Sequence, residues 1–292
     1  MKTVLAKIII TMLAFAMMLG VYAADNSIYI DQSGSGATIN VTQDGYGNVV
    51  RGTGLGDSTT SAILYGDNNQ ITVNQIGISN TLKIGVNTTT GGGSANPTVN
   101  YSVTGNNATA VIDSNSSGQG TSESNNISVT QNGNTANLIV TVLGSNNLLS
   151  ATTAGGANNS IVSVINGNNN TQNISMVGGG DNSATLSQSS NGNSIGIDAS
   201  GASNLFNVMQ AGGVAGNTVS IGGYAPGSSM VGNSNIVAIS QQGGSDNTVN
   251  LGMTGNNNNV NIGQWAGTSA GNVANVKVNG SSNTIGIQQG SH

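Results

Sequence analysis

The chain repeats a phrase. Asn69-x-Ile71-x-Val73-x-Gln75-x-Gly77-x-x-Asn80 leads directly into Asn80-x-Leu82-x-Ile84. Near the C-terminus, Asn272-x-Ala274-x-Val276-x-Val278-x-Gly280-x-x-Asn283 leads into Asn283-x-Ile285-x-Ile287-x-Gln289. A period of about eleven residues limits the chain to a repeat architecture, because a unit that short cannot bury its apolar side without stacking on neighbours. Further copies run Asn26-x-Ile28-x-Ile30-x-Gln32, Asn125-x-Ile127-x-Val129-x-Gln131, Asn182-x-Ala184-x-Leu186-x-Gln188 and Asn204-x-Phe206-x-Val208-x-Gln210. Others end on Gln43, Gln241 and Gln264, or begin at Asn193 and Asn247.

Within a unit the Asn, the two apolar residues and the Gln share one parity, so on a strand they point to one face. The other parity carries Ser27, Tyr29 and Asp31 in one copy, and Ser183, Thr185 and Ser187 in another. This alternation predicts half-buried strands with a polar outer face. Gly-x-x-Asn then predicts a turn, Gly taking a positive φ and Asn tolerating one better than most residues. Two strands and two turns make one coil of about 22 residues, and coils stack ~4.8 Å apart. The expected fold is therefore all-β, a β-solenoid of two-strand coils with an amyloid-like ladder.

Stacking puts like residues above one another. Asn and Gln then form amide ladders, each NH2 donating to one copy and each C=O accepting from the next. That arrangement offsets the roughly 1–3 kcal/mol that a buried unpaired amide costs. The residues expected to ladder, and so to hold an assembly together, are Asn26, Gln32, Gln43, Asn69, Gln75, Asn80, Gln131, Asn182, Gln188, Asn193, Asn204, Gln210, Gln241, Asn247, Gln264, Asn283 and Gln289.

Composition narrows the class. Charged residues are 5%, aromatics 3% and Pro only two, against 45 Gly. Uncharged polarity without Pro departs from the usual disordered composition and fits Asn-rich β-forming material. Lys2 and Lys7 precede an apolar stretch over 8–21, and Val21-Tyr22-Ala23 has the small residues of a signal-peptidase site. The stretch is shorter than the ~20 residues a spanning helix needs, so 1–23 reads as a signal peptide and the product as exported. No later run approaches spanning length. The remaining cations, Arg51, Lys83 and Lys277, face ten acids, which leaves no basic stripe for nucleic acid. With no Cys, an exported chain must rely on its strand ladders instead of disulfides.

The spacing of Asn26-x5-Gln32-x4-Ala37-x5-Gln43-x4-Asn48, and of Asn182-x5-Gln188-x4-Asn193, resembles the curlin repeat, Ser-x5-Gln-x4-Asn-x5-Gln. The resemblance spans most of 26–290. It implies a secreted subunit of curli-like amyloid fibres on the cell surface, supporting adhesion, aggregation and biofilm matrix. It also implies partners: further copies of the subunit, and accessory proteins for outer-membrane secretion and nucleation. Departures are the missing Gln at Asp113, Ala199 and Val278, and about sixteen legible strand units, more than the usual major subunit has.

Catalytic, cofactor and metal chemistry finds no footing. The single His is His292, the acids are scattered, and Gly52-x-Gly54-x-Gly56 lacks the Lys of a phosphate loop. Residues 24–292 thus read as one repeat domain with loop insertions near 51–62, 87–97 and 222–234. Neither end of the repeats carries a polar helix or Pro-rich cap, so an uncapped stack is expected to template another copy. The competing reading is a discrete solenoid adhesin that binds a surface or receptor through those loops.

Overall fold

The computed structural model describes residues 25–34, 36–53, 61–65, 69–87, 98–114, 124–212, 216–222, 229–243, 246–267 and 271–290. The expected signal peptide lies outside them, as do most of the three expected loops.

Twenty-four strands follow one another with no helix among the described residues. In chain order they are β1 (Ser27–Ile28), β2 (Ile30–Ser33), β3 (Thr38–Tyr46), β4 (Val49–Arg51), β5 (Ala62–Tyr65), β6 (Gln70–Ile78), β7 (Thr81–Asn87) and β8 (Thr98–Thr104). Next come β9 (Thr109–Ser114), β10 (Asn126–Asn132), β11 (Asn137–Leu143), β12 (Leu148–Ala154), β13 (Ser160–Asn166), β14 (Thr171–Val177), β15 (Ser183–Ser189) and β16 (Ser194–Ser200). The last are β17 (Leu205–Ala211), β18 (Thr218–Ile221), β19 (Met230–Val231), β20 (Ile236–Gln242), β21 (Thr248–Thr254), β22 (Asn259–Trp265), β23 (Val273–Asn279) and β24 (Thr284–Gly290). The weak copies around Val99 and Val111 form strands too, which is why strands outnumber the units legible in sequence.

The chain alternates between two parallel sheets of 13 and 11 strands, stacked as a β-solenoid. The first sheet holds β1, β2, β4, β5, β7, β9, β11, β13, β15, β17, β20, β22 and β24; the second holds the rest. Three rows are built from two short strands each. β4 and β5 both pair with β7, β18 and β19 both pair with β16, and β1 and β2 lie on β4 and β5. Insertions therefore fall within rows as well as at corners. Ala62 and Met230, expected in loops, are fully buried strand residues.

Burial follows the predicted parity. In β10, Ile127, Val129 and Gln131 are buried while Asn126 and Asn132 are exposed. In-register pairing sets Ile127 against Leu149 and Val129 against Ala151. Each buried Val, Leu or Ile contributes about 1.5–3 kcal/mol, and column neighbours trade volume: Phe206 sits between Ala184 and Val237. Coils without insertions span 22 or 23 residues, as from Asn182 to Asn204 and from Asn170 to Asn193.

The turns differ from expectation in one respect. Gly takes positive φ at the first position, for example +150° at Gly105 and +135° at Gly167. The second left-handed residue precedes the repeated Asn instead of being it: Ser79, Asn169, Ser203 and Ser282 lie at φ 57°, 58°, 58° and 61°. The ladder Asn is selected by its hydrogen bonds, while its predecessor bends the chain.

Candidate assembly surface

Two corners of the solenoid carry asparagine ladders. One holds Asn26, Asn48 and Asn80, then Ala108 and Ala136, then Asn159, Asn182, Asn204, Asn235, Asn258 and Asn283. The Oδ1 of each amide accepts the backbone N–H of the next row: Asn48 onto Asn26 at 3.0 Å, Ala108 onto Asn80 at 3.0 Å, Asn204 onto Asn182 at 3.0 Å. The Nδ2 donates in both directions, from Asn204 to Asn182 Oδ1 at 3.2 Å and to the Gly232 carbonyl one row on at 2.9 Å. Asn182 repeats both bonds, to Asn159 and to Gly201. An amide with both N–H groups and its oxygen engaged avoids the desolvation cost that would otherwise bar it from the interior.

The other corner holds Asn69, buried ahead of β6, and the run Asn125, Asn147, Asn170, Asn193, Asn217, Asn247 and Asn272. Its bonds have the same sense, Asn193 N–H reaching Asn170 Oδ1 at 2.9 Å and Asn272 N–H reaching Asn247 Oδ1 at 3.0 Å.

The glutamines divide into runs. Gln188, Gln210, Gln241, Gln264 and Gln289 form one column of the first sheet, each Nε2 donating to the next Oε1 at 2.8–2.9 Å. Each also reaches the start of a strand across the core, Gln210 to the Ser194 carbonyl at 3.0 Å and Gln264 to that of Thr248 at 3.1 Å. The next two rows of the column are Ile165 and Val142, and Gln188 Oε1, beside Ile165, has no hydrogen-bond partner. In the second sheet Gln43 donates to Gln75 at 2.8 Å. Gln32 and Gln131 occupy Gln positions without Gln neighbours. Gln32 faces Leu64 in the next row and donates to the Gly34 carbonyl, while Gln131 lies between Val103 and Thr153 and accepts the Tyr101 hydroxyl at 3.1 Å. Burial pushes the Tyr101 phenol well above its ordinary range.

A third set of amides escapes sequence reasoning. Asn106, Asn134, Asn168, Asn191, Asn233 and Asn256 sit on the outside of turns. Their Oδ1 atoms accept N–H groups from the preceding row: Ile78 onto Asn106 at 2.8 Å, Ser145 onto Asn168 at 2.8 Å, Ala202 onto Asn233 at 2.7 Å. These bonds run opposite to the inner ladders. The available signal was the recurring Gly-Asn dipeptide at 105–106, 133–134, 167–168, 232–233 and 255–256.

The outer faces are unequal. The middle of the second sheet is hydroxyl and amide, as at Ser128, Thr130, Ser150, Thr152, Asn173 and Ser175. The first sheet exposes Ile63, Ile139, Val164, Leu205, Met209, Ile236 and Trp265, the last 57% exposed. The polar outer face expected from sequence holds on both sheets, at Ser183, Thr185 and Ser187 of the first as well, but apolar side chains interrupt it. More of them lie in the middle of the first sheet, while those of the second, such as Val177, Val231 and Val273, lie at strand ends.

Both ends of the described stack are open. β3 pairs only with β6, β23 only with β21 and β24 only with β22; β1 and β2 have β4 and β5 on one side only. The inner residues of β2, β3 and β24, among them Ile30, Ile39, Val41, Ile285 and Ile287, are only partly buried, while Ala274, Val276 and Val278 of β23 stay buried. Among the described residues no cluster of three His, Cys, Asp or Glu side chains could hold a metal, and no helix is long and apolar enough to cross a membrane. No protein-family model matches the chain, and no curated protein matches it.

Proposed function

We propose that the chain is an exported structural subunit of curli-like extracellular fibres, adding end to end so that the sheets of one copy continue into the next. The observation that carries this reading is the pair of open ends. Among the described residues each end presents two strand edges without a further strand, above half-covered Ile30, Ile39 and Val41 at one end and Ile285 and Ile287 at the other. Such an edge is a template for a further strand, and natural solenoids that stay monomeric cover it. Low charge removes the repulsion that stacked like charges would add. The apolar residues on the outer face of the first sheet supply a lateral surface for fibre bundling and adhesion. On this reading, secretion and nucleation accessory proteins are the partners.

The test is assembly of residues 24–292 diluted from denaturant at micromolar concentration, followed by thioflavin T fluorescence, electron microscopy and fibre diffraction. Seedable filaments with a ~4.8 Å meridional spacing are the expected result. A stable monodisperse monomer rich in β-structure would overturn the reading in favour of a discrete solenoid adhesin.

A further inference from the structure

Resting on that reading, we infer that successive copies in the fibre are related by a half-turn about the stacking axis. The inference follows from strand parity. The rows alternate between the two sheets, and the described stack both starts and finishes in the first sheet, with β1–β2 and with β24. The first sheet therefore has one row more than the second.

Consider a second copy placed by translation alone. Its β1–β2 row lies on β24, and its β3 comes half a coil later. The position directly on β23 stays empty, leaving two strands of the second sheet about 9.6 Å apart, twice the ~4.8 Å hydrogen-bonding spacing. A half-turn closes the gap. The incoming β1–β2 row then lies on β23, where the alternation demands the next strand, and the incoming β3 lies on β24. Strands of the two sheets run in opposite directions because each turn reverses the chain. The half-turn reverses the incoming copy as well, so all new neighbours are parallel.

The hydrogen-bonding groups agree. Both sheets follow one rule: the residue after the ladder position donates its N–H to the ladder residue of the next row. Ser27 donates to Asn48 and Thr38 to Asn69 at 2.8 Å each, and Thr248 to Asn272 at 2.7 Å. At the rotated junction Val273 meets Asn26 and Thr284 meets Ala37 of the next copy. Ala37 N–H then reaches Asn283 Oδ1 as Ala108 reaches Asn80. Gln289 lies beneath Gln43, which itself donates to Gln75. The five-glutamine column thus runs on through seven, every Nε2 pointing the same way. Gln32 lands on Val278 and keeps its bond to Gly34. The join is head to tail, the heterologous kind of contact that builds filaments.

The chain has no Cys, so cross-linking reads the junction directly. Adjacent in-register rows put Cα atoms ~4.8 Å apart, within disulfide range. Thr284→Cys chains are co-assembled with Thr38→Cys chains in one sample and with Ser27→Cys chains in another. Fibres are verified by microscopy, oxidised, dissolved and run unreduced. The half-turn gives heterodimer from Thr284→Cys with Thr38→Cys, and its loss from the Ser27→Cys mixture. Heterodimer with Ser27→Cys, or from neither mixture, in fibres that do form overturns the half-turn and leaves the fibre reading standing. Failure to form any fibre overturns both.

Discussion

Gly77 lies directly beneath Gly105, so close that a methyl group on Gly77 would fall 2.0 Å from the Gly105 carbonyl oxygen. Gly77 also holds φ at +119°, which L side chains rarely adopt. Gly77→Ala should therefore cost about 2–4 kcal/mol from strain and overlap together. Gly286→Ala is the matched control: nothing lies within 4 Å of the added methyl. Urea unfolding of the freshly refolded chain should separate the two, with the midpoint falling for Gly77→Ala and moving little for Gly286→Ala.

Thr135 occupies the left-handed turn position at φ 57°, where its equivalents in other rows include Asn107, Asn146, Asn169 and Asn257. A β-branched residue is ill suited to that conformation, while Asn adopts it at little cost. Thr135→Asn should stabilise the chain by about 0.5–1 kcal/mol. An unchanged or lower unfolding midpoint would count against the turn geometry described.

Gln210 is the best connected glutamine of its column. It accepts from Gln188 and donates to Gln241 and to the carbonyls of Ser194 and Asn217. Gln210→Leu fills the space but takes away the acceptor of Gln188 Nε2 and the donor to Gln241 Oε1, at about 1–3 kcal/mol per group, while the Asn217 carbonyl keeps the Ser194 N–H. The loss should exceed that of Gln32→Leu, which removes one exposed bond to Gly34. Equal effects would show that the column contributes little.

Tyr101 sets a pH limit. Its folded phenol titrates above the unfolded value near 10 because burial disfavours the phenolate. Above pH ~10 the unfolded chain releases this proton while the folded chain keeps it, so stability is full below that pH and falls as pH rises. Tyr101→Phe should be less stable at neutral pH by roughly 1–2 kcal/mol, since Gln131 loses its hydroxyl partner. The gap should narrow between pH 10 and 12 in alkaline unfolding curves, and a constant gap would refute the assignment.

How far the sequence disclosed this fold depends on which physical signal was strong. Parity was the strong one. Ile127, Val129 and Gln131 could be assigned to one buried face because a strand has a period of two and nothing else in the unit competes. Split rows were invisible, since Ala62 and Met230 follow insertions that hide the phase linking them to their neighbours. The outer amides at Asn106 and Asn168 were obscured because Asn in a turn already has a sufficient local explanation. The left-handed residue was misplaced by one position for the same reason: Asn suits both jobs, and only the φ of Ser79 and Ser282 separates them. Gln131 shows the converse limit, because column identity depends on residues 22 to 28 positions away and not on the unit itself.

The two-piece rows have a mechanical meaning. A pull along the stacking axis passes through every row in turn, as through links of a chain, so rupture force is set by the poorest link and not by the average. Most rows grip their neighbours through seven paired residues, but the β18–β19 row holds β21 through only Thr218–Ile221 and Val231. Under tension the stack should part there first, between two long segments that stay folded, which makes the broken row a built-in fuse.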